Sequence, residues 1–451
     1  MNTQEYIFPE DFTWGAIASA YQIEGAWDAD GRGMSIWDTF VRQPDRVLHG
    51  HTGDTACDHY HRMPEDVALM KELGLPNYSF TVAWPRVLPE GTGEVNAQGL
   101  AFYDRLVDHL LEAGIEPKAT LYHWDFPQAL QDKGGWPNRD SVAWFGEYAS
   151  VVFEKLGDRV KTWGTHNEPW VAAFLGYGQG LHAPGICDAT QAYQTAHHLL
   201  VAHARAVDIY RSGGYGGKIG LVLNLNHLIP ASDRAEDRAA AQRVYDETHS
   251  LFLDPIYRDR YPEDFLDWLG PHRPEVHPDD LELISGSSDY LGLNHYNTDL
   301  VHHDHFGGWL KARLEPYAAP LWGHTQMGWG INPAGIKAEV MNIKENYGNP
   351  PLILTENGCA APDIPDQNGY VDDRDRIRFL RAHLIQLHQA VEEGANLHGY
   401  YVWSVFDNFE WERGYTKRFG LVRINFDTLE RTPKHSAYWY RDVIHRNGVR
   451  L

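Results

Sequence analysis

The chain has 451 residues, a length that a single α/β barrel can reach, and 43% of them are hydrophobic and 22% charged, as in an ordinary globular protein. Its 39 Lys and Arg residues against 62 Asp and Glu residues give a formal net charge of −23, which repels phosphate backbones, anionic membranes and strongly anionic substrates. These numbers argue against a nucleic-acid-binding protein and against a partner at a membrane surface.

Short apolar runs alternate with longer helical patterns along the whole chain. The runs are rich in β-branched and aromatic residues, as is typical of parallel strands buried on both faces. Eight strands are predicted at residues 13–19, 79–84, 117–124, 160–167, 218–224, 289–296, 351–356 and 397–405. The predicted helices include residues 96–113, 141–156, 189–212, 233–248, 333–347 and 372–393. Because no linker divides the chain, we predict an α/β fold with one (β/α)8 (TIM) barrel over residues 1–451.

Polar side chains follow almost every predicted strand at its C-terminal end. They are Gln22 and Glu24, Arg86, His123, Asn167 and Glu168, Asn224, Asn294, Glu356, and Asp407 and Asn408. Barrel enzymes place their catalytic groups at this end of the strands. The sequence therefore predicts an active site at the C-terminal ends of the barrel strands.

Two glutamates at strand ends form the strongest candidate catalytic pair. Glu168 ends the fourth predicted strand in Thr-His-Asn-Glu-Pro, and the proline is expected to hold its backbone extended and to prevent a helix there. Glu356 ends the seventh in Thr-Glu-Asn-Gly, where Gly358 is expected to allow a turn. Each motif alone also occurs in ordinary turns, but the two together at barrel-strand ends favour catalysis.

Two facing carboxyl groups suit glycoside hydrolysis. One protonates the leaving oxygen, and the other attacks the anomeric carbon or activates a water molecule. The distance between them decides between retention and inversion of configuration, and the residues alone leave that choice open. The 16 tryptophans fit a sugar site as well, since an aromatic face stacks on a pyranose ring, although most of them are expected in the core.

Ordered motifs from residue 12 almost to the C-terminus resemble those of family 1 glycoside hydrolases, the β-glucosidase and β-galactosidase group. They are Phe-Thr-Trp-Gly at 12–15, Tyr-Gln-Ile-Glu-Gly at 21–25, Trp-Pro-Arg at 84–86, Leu-Tyr-His-Trp-Asp at 121–125, Asn-Glu-Pro at 167–169, Asn-His-Tyr at 294–296, Thr-Glu-Asn-Gly at 355–358, Trp-Ser at 403–404 and Asp-Asn-Phe-Glu-Trp at 407–411. This resemblance implies the barrel fold and a retaining exo-β-glycosidase. The implied substrates are terminal β-D-glucosides, with β-galactosides and β-fucosides as further candidates.

The resemblance also implies roles for individual residues. Glu356 corresponds to the nucleophile and Glu168 to the acid/base of the family. The implied substrate-binding residues are Gln22, His123, Asn167, Asn294, Tyr296, Trp329, Trp403, Glu410 and Trp411. Within this set Asn167 holds the 2-hydroxyl group, Trp403 lies beneath the sugar ring, and Tyr296 donates a hydrogen bond to Glu356. Organic side chains fill every role, so neither a cofactor nor a metal is expected.

Glu410 and the mouth of the site bear on the choice of substrate. Relatives that act on 6-phosphorylated sugars carry a small hydroxyl residue in place of Glu410, and a carboxylate there would repel phosphate. An unphosphorylated small glycoside is therefore expected. Trp329, together with Trp170 and Leu175, is expected to line the mouth where the leaving group lies, and the preferred sugar, leaving group and oligomeric state stay open.

One departure from the family pattern lies in the second predicted strand. It reads Tyr-Ser-Phe-Thr at 78–81, where the family usually reads Tyr-Arg-Phe-Ser. The arginine normally pairs with the nucleophile, and Ser79 carries no charge. This departure raises the alternative of a catalytically impaired, sugar-binding relative, but the intact glutamates and sugar-binding set favour an active enzyme.

Histidine and cysteine patterns give two further expectations. The histidine-rich segments 57–61 and 302–305 do not lie beside the two glutamates, so solvent-exposed histidines are favoured over a metal site. The three cysteines, Cys57, Cys187 and Cys359, show no Cys-x-x-Cys spacing, which favours reduced thiols. With no recognisable secretion signal and no stretch of 18 apolar residues, a cytoplasmic protein is expected.

Overall fold

The computed structural model describes residues 4–451. The strands are β1 (Glu5–Ile7), β2 (Thr13–Ile17), β3 (Asn77–Thr81), β4 (Glu116–Tyr122), β5 (Thr162–Asn167), β6 (Lys218–Asn224), β7 (His227–Pro230), β8 (Tyr290–Asn294), β9 (Thr298–His303), β10 (Ala312–Pro316), β11 (Leu352–Asn357), β12 (Leu397–Trp403), β13 (Val422–Ile424), β14 (Arg431–Pro433) and β15 (Gly448–Arg450). The α-helices are α1 (Ala20–Ile23), α2 (Ile36–Phe40), α3 (His59–Glu72), α4 (Trp84–Val87), α5 (Ala97–Ala113), α6 (Gln128–Gln131), α7 (Ser141–Leu156), α8 (Ala189–Ser212), α9 (Ala235–Tyr245), α10 (Leu251–Arg258), α11 (Glu263–Leu269), α12 (Asp280–Ile284), α13 (Pro333–Asn346), α14 (Arg374–Glu392) and α15 (His435–Arg446). Further helical segments of 3₁₀ or π type cover Leu48–Gly50, Val171–Gly178, Asp246–Ser250, Gly270–His272 and Trp411–Thr416.

Eight parallel strands close into a barrel in the order β2, β3, β4, β5, β6, β8, β11 and β12, and β12 pairs with β2 to complete the ring. Each overlaps one predicted strand, which confirms the (β/α)8 fold. The second strand differs from its predicted span of 79–84, because β3 ends at Thr81 and Trp84 instead begins α4. Pro85 lies in the first turn of α4, where proline fits a helix without loss of a hydrogen bond.

The outer faces of the barrel strands and the surrounding helices share one hydrophobic core. Trp84, Trp136 and Trp163 are completely buried there, as expected for most of the tryptophans. α8 begins at Asp188, whose carboxylate accepts hydrogen bonds from the backbone N–H groups of Thr190 and Gln191. The core therefore fixes the strands, and the loops at their C-terminal ends are held on a rigid frame.

The interior of the barrel mixes very small and very large side chains. A β-carbon on Gly15 would clash with the ring of Tyr401, and one on Gly220 would lie 2.9 Å from the ring of Tyr290, so the glycines make room for the two tyrosines. The ammonium of Lys118 lies 5.3 Å from the centre of the Tyr290 ring and 4.9 Å from that of Tyr401. These three residues come from β4, β8 and β12, which are not neighbours, so they meet across the barrel interior.

Three smaller sheets accompany the barrel within residues 4–451, and one of them is the antiparallel pair of β13 and β14. β7, β9 and β10 form a three-stranded sheet from the segments that follow β6 and β8, and β1 pairs antiparallel with β15 and joins the two ends of the described chain. No helix within residues 4–451 combines the length and the apolar character needed to cross a membrane.

Candidate active site

The C-terminal ends of the barrel strands open into a cavity of about 440 Å³. Nine of the eleven residues predicted for the site line it: Glu168, Glu356, His123, Asn167, Tyr296, Trp329, Trp403, Glu410 and Trp411. Trp170 and Leu175, which were expected at the mouth, line it as well. Gln22 and Asn294 do not line the cavity: Asn294 donates hydrogen bonds to Glu168 and Asn167, whereas Gln22 donates to Asn408 and to the carbonyl of Phe409.

The backbone at Glu168 is strained. Its φ is +48°, in the left-handed region that few residues other than glycine adopt. The expectation of an extended backbone is therefore wrong, and so is the expectation that no helix can follow, because Pro169 and Trp170 begin a helical segment that continues to Gly178. Proline fits the first turn of this helix, and the Glu168 N–H donates to the carbonyl of Val222 on β6 at 2.9 Å. Strain of this kind persists where the surroundings enforce it, and it is often found at functional sites.

Asn294 at the end of β8 connects three strand ends beneath the cavity. Its Nδ2 donates hydrogen bonds to Oε1 of Glu168 at 2.7 Å and to Oδ1 of Asn167 at 3.0 Å. Its Oδ1 accepts a hydrogen bond from the hydroxyl of Thr355 on β11 at 2.6 Å. Asn294 is fully buried, so it orients Glu168 and Asn167 from behind the wall.

Glu356 at the end of β11 is held by one of its two carboxylate oxygens. The hydroxyl of Tyr296 donates to Oε2 at 2.6 Å, whereas Oε1 is buried and has no hydrogen-bond partner among the described residues. Gly358 is required here for a different reason than the expected turn, since a β-carbon would clash with the carbonyl oxygen of Trp403. Glu356 therefore presents one oxygen that no protein group occupies.

Aromatic rings and a buried histidine form the opposite wall. The ring of His123 lies 6.0 Å from that of Trp403 and 5.9 Å from that of Trp411, with 21° between the planes in both cases. Behind them, Nε2 of Gln22 donates to the carbonyl of Phe409 at 2.8 Å. Gln22 thus fixes the chain just before Glu410.

Burial governs the charges of the site. It raises the pKa of Glu168 to about 7. It raises the pKa of Glu410 to about 8, with help from the charges of Glu412 and Glu168. The pKa of Glu356 is also raised, by burial and by the charge of Glu168, against the hydrogen bond from Tyr296. Burial therefore favours the protonated form of all three carboxyl groups, and the site can supply an acid.

The histidine-rich segments are engaged elsewhere. His59 pairs with the buried carboxylate of Asp66 at 2.8 Å, and His61 pairs with Asp58 at 2.6 Å. His302 pairs with Glu315 at 3.0 Å. Across residues 4–451, no group of three or more His, Cys, Asp or Glu side chains is arranged to hold a metal ion.

Part of the site was missed by sequence reasoning. The additional lining residues include Trp124, His182, Asn226, Asp299, Leu314, Met327 and Arg413. Most of them lie in loops or in the small peripheral sheet, whose position no strand or helix pattern gives. Lys118 beneath the site was missed too, although a lysine within an apolar, buried strand is a signal that could have identified it.

Comparison with known proteins identifies the relatives of this chain. The profile of "Glycosyl hydrolase family 1" matches residues 4–449. "Beta-glucosidase A" of Acetivibrio thermocellus is 47% identical over 445 residues, which are 98% of this chain and 99% of that protein. "1,4-beta-D-glucan glucohydrolase" of Thermotoga neapolitana is 47% identical over 443 residues, 98% of this chain and 99% of that protein. Among solved structures, the β-glucosidase of Thermotoga maritima in complex with deoxynojirimycin is 48% identical with a TM-score of 0.95, covering 98% of this chain and 100% of that chain.

Proposed function

This chain belongs to glycosyl hydrolase family 1, and on that premise we propose that it is a retaining β-glucosidase. It releases terminal, non-reducing β-D-glucosyl residues from oligosaccharides and aryl glycosides. The observation that carries the proposal is the pair of buried carboxyl groups, Glu168 and Glu356, which line one cavity at the C-terminal ends of the barrel strands. Asn294 donates a hydrogen bond to Glu168, and Tyr296 donates one to Glu356. The names of the relatives, β-glucosidase and 1,4-β-D-glucan glucohydrolase, agree with this assignment.

The reaction proceeds in two displacements. The free oxygen of Glu356 attacks the anomeric carbon while the bond to the leaving oxygen breaks, and Glu168 transfers its proton to that oxygen. In the second step Glu168 takes a proton from water, and the water oxygen displaces Glu356 from the anomeric carbon. Two inversions restore the original configuration, which is the retaining outcome of this family.

The hydrogen bonds around the two carboxyl groups divide their roles. Tyr296 donates to Glu356, which favours its ionised form, and Glu168 receives a single hydrogen bond, from Asn294. Two buried carboxyl groups that repel each other release their protons in separate steps. In agreement with the family resemblance, we take Glu356 to lose the first proton, and Glu168, with a pKa of about 7, to be still partly protonated at neutral pH.

The remaining lining residues suit a neutral sugar. Burial lowers the pKa of His123 to about 3, so its ring is uncharged; Nε2 contacts Nδ2 of Asn167 at 3.3 Å, and Nδ1 has no hydrogen-bond partner among residues 4–451 and can bind a hydroxyl group. Trp403 offers a face for the sugar ring, and the carboxyl group of Glu410 offers hydrogen bonds to hydroxyl groups. β-D-Glucosides fit this set, and β-galactosides and β-fucosides are further candidate substrates.

We further propose that residues 1–451 act as one catalytic domain in the cytoplasm. The barrel strands run from Thr13 to Trp403, and β1 and β15 join the described ends of the chain. The three cysteines are free thiols, two of them buried, as suits a reducing compartment. The partner is a small β-glycoside; no nucleic acid or membrane is proposed.

The experiment is a panel of nitrophenyl β-D-glycosides, with kcat/KM measured for each and the first-formed sugar identified by proton NMR. We expect β-D-glucose as the first product and the largest kcat/KM for the glucoside or the fucoside. α-D-Glucose as the first product would contradict the retaining mechanism. A folded protein that binds glucose but turns over no glycoside would favour the sugar-binding alternative that Ser79 raised.

A further inference from the structure

Lys118 is a buried cation that the mechanism above does not use. It is 2% exposed, and its ammonium has no hydrogen-bond partner within residues 4–451. The rings of Tyr290 and Tyr401 face it at 5.3 and 4.9 Å. Burying an unpaired charge costs several kcal/mol, which is comparable to the net free energy of unfolding of a whole domain. A compensating interaction is therefore needed to keep Lys118 charged.

Lys118 lies next to Ser79, the residue that stands where the family usually has an arginine. Lys118 of β4 is the register partner of Ser79 on β3, and both side chains are buried in the barrel interior. The hydroxyl of Ser79 also lacks a hydrogen-bond partner in the described part of the chain. The small, uncharged side chain of Ser79 therefore lies beside the long, charged side chain of Lys118, at the same level of two neighbouring barrel strands.

The charge that acts on Lys118 is that of Glu356. Burial lowers the pKa of Lys118 to about 7, and the negative charge of Glu356 opposes this shift. The titratable groups that act on Glu356 from the other strands are Glu168, Glu410 and the Tyr296 hydroxyl. Of the groups named, Lys118 is the one that can carry a positive charge, and the Oε1 atom of Glu356 has no hydrogen-bond partner in the part of the chain that the structure describes.

We propose that Lys118 is a positioning residue that supplies Glu356 with the positive charge that Ser79 cannot provide. The charge comes from β4 instead of β3, and it favours the ionised, attacking form of Glu356 from beneath the cavity. This inference rests on the proposed function, because it takes Glu356 to be the nucleophile. It accounts for an active site that keeps both glutamates while lacking an arginine at position 79.

The first test is the pH dependence of kcat/KM in three proteins: the unchanged enzyme, Lys118→Met, and the double variant Ser79→Arg with Lys118→Met. Methionine matches the length of the lysine stem but carries no charge. We expect the acid limb to move up by roughly one pH unit in Lys118→Met, since a nearby opposite charge lowers a carboxyl pKa by about 1–3 units. In the double variant the acid limb should move back to lower pH, because the arginine at position 79 of β3 restores a positive charge beside Glu356.

Lys161→Met is the matched control. Lys161 lies just before β5, and its ammonium donates to the carbonyl oxygens of Gly157 and Tyr215, away from the cavity. We expect its acid limb to stay in place. An acid limb that does not move in a well-folded Lys118→Met protein, as judged by thermal melting, would overturn the role of Lys118.

A second measurement needs no variant at Lys118. NMR titration of the lysine side chains, in the unchanged protein and in Glu356→Gln, gives the pKa of Lys118 directly. We expect a lower pKa in Glu356→Gln, because the charge that opposes burial is gone. An identical pKa in the two proteins would show that the two side chains do not interact, and it would overturn the inference even if Lys118→Met failed to fold.

Azide rescue of Glu356→Ala separates this inference from the proposed function. Rescue with an inverted product, combined with an unmoved acid limb in Lys118→Met, would reject Lys118 alone and keep the retaining mechanism. Absence of rescue would reject Glu356 as nucleophile, and the role of Lys118 with it.

Discussion

Two clusters of buried charge differ in whether their carboxylates form ion pairs with cationic side chains. The paired cluster consists of Asp363, Asp373, Arg376, Asp407 and Lys434, whose side chains are fully buried. Arg376 contacts Asp363 at 2.9 Å and also pairs with Asp373, and Lys434 contacts Asp407 at 2.6 Å and also pairs with Asp363. Within residues 4–451, the active-site carboxyl groups of Glu168, Glu356 and Glu410 form no ion pair with a cationic side chain.

This difference reverses the effect of burial on the pKa. Burial alone would raise the pKa of Asp363, but the charges of Arg376 and Lys434 hold it below its usual value. Burial raises the pKa of Glu410 to about 8, and the charges of Glu412 and Glu168 add to this shift, while Arg413 opposes it only weakly. Buried carboxylates of the same kind thus serve structure where they are paired and proton transfer where they are not. The two clusters also cooperate, since Asp407 anchors the loop that carries Glu410.

The largest expected effect concerns Glu356. Glu356→Ala should lower kcat by a factor on the order of 10⁴ or more, as removal of a covalent nucleophile does. Azide should fill the vacated volume and give a glycosyl azide of inverted configuration from a dinitrophenyl glucoside, which NMR identifies. Glu339→Ala is the matched control, because Glu339 is equally buried but pairs with His249. Azide should give no new product with this control, and a retained product from Glu356→Ala would remove Glu356 from its role.

Glu168 is expected to show a smaller effect that depends on the substrate. Its proton assists poor leaving groups, so Glu168→Ala should lower the glycosylation rate for cellobiose by about 10²–10⁴-fold and hardly affect dinitrophenyl glucoside. The alkaline limb of kcat/KM, expected near pH 7 because the acid is lost as pH rises through the pKa of Glu168, should vanish in this variant. Equal losses with both substrates would contradict the acid role.

A substitution in the paired cluster should lower the stability of the folded protein and leave catalysis unchanged. Arg376→Met leaves Asp363 and Asp373 without their shared cation, which should lower the free energy of unfolding by about 3–5 kcal/mol. The pKa of Asp363 is depressed in the folded protein, so its contribution is present above its unfolded pKa of about 3.9 and is lost as pH falls through the folded pKa. The loss in Arg376→Met should therefore be large at pH 7 and shrink in acid.

Denaturant unfolding at several pH values measures this loss, and kcat/KM over the same range is its companion measurement. We expect the acid and alkaline limbs to stay in place in Arg376→Met. A shifted limb would mean that the paired cluster also sets the charges of the site, and the contrast between the two clusters would disappear.

The barrel was predictable from the sequence because its signals are local. Each buried strand is a short apolar run, and β6 coincides with its predicted span of 218–224. Glu168 and Glu356 could be located because strand ends in a barrel converge on one face. The backbone at Glu168 could not be predicted, since its left-handed φ depends on β6 and on the helix that begins at Pro169.

Contacts across the barrel could not be predicted from the sequence for a related reason. The pairing of Lys118 with Ser79 depends on the register between β4 and β3, and its approach to Tyr290 and Tyr401 depends on closure of the barrel. The places of Gln22 and Asn294 behind the wall likewise follow from packing. Sequence patterns identify which residues lie at the C-terminal face of the barrel. The tertiary structure decides whether each of them lines the cavity or lies behind its wall.

The smallest expected effect is that of metal removal. It tests directly whether the active-site carboxyl groups, unlike those of the paired cluster, lack a cationic partner. Unpaired carboxyl groups could in principle be balanced by a bound divalent cation, in which case the active-site carboxyl groups would be a second paired cluster. Their raised pKa values favour protons as the balancing charge, and Asn294 and Tyr296 already hold one oxygen each of Glu168 and Glu356. We therefore expect kcat/KM to be unchanged after dialysis against EDTA, with the metal content checked by elemental analysis. Activity that is lost on dialysis and restored by one divalent cation would place that cation among the glutamates, and protonation of Glu168 would then no longer be needed to explain how its charge is tolerated.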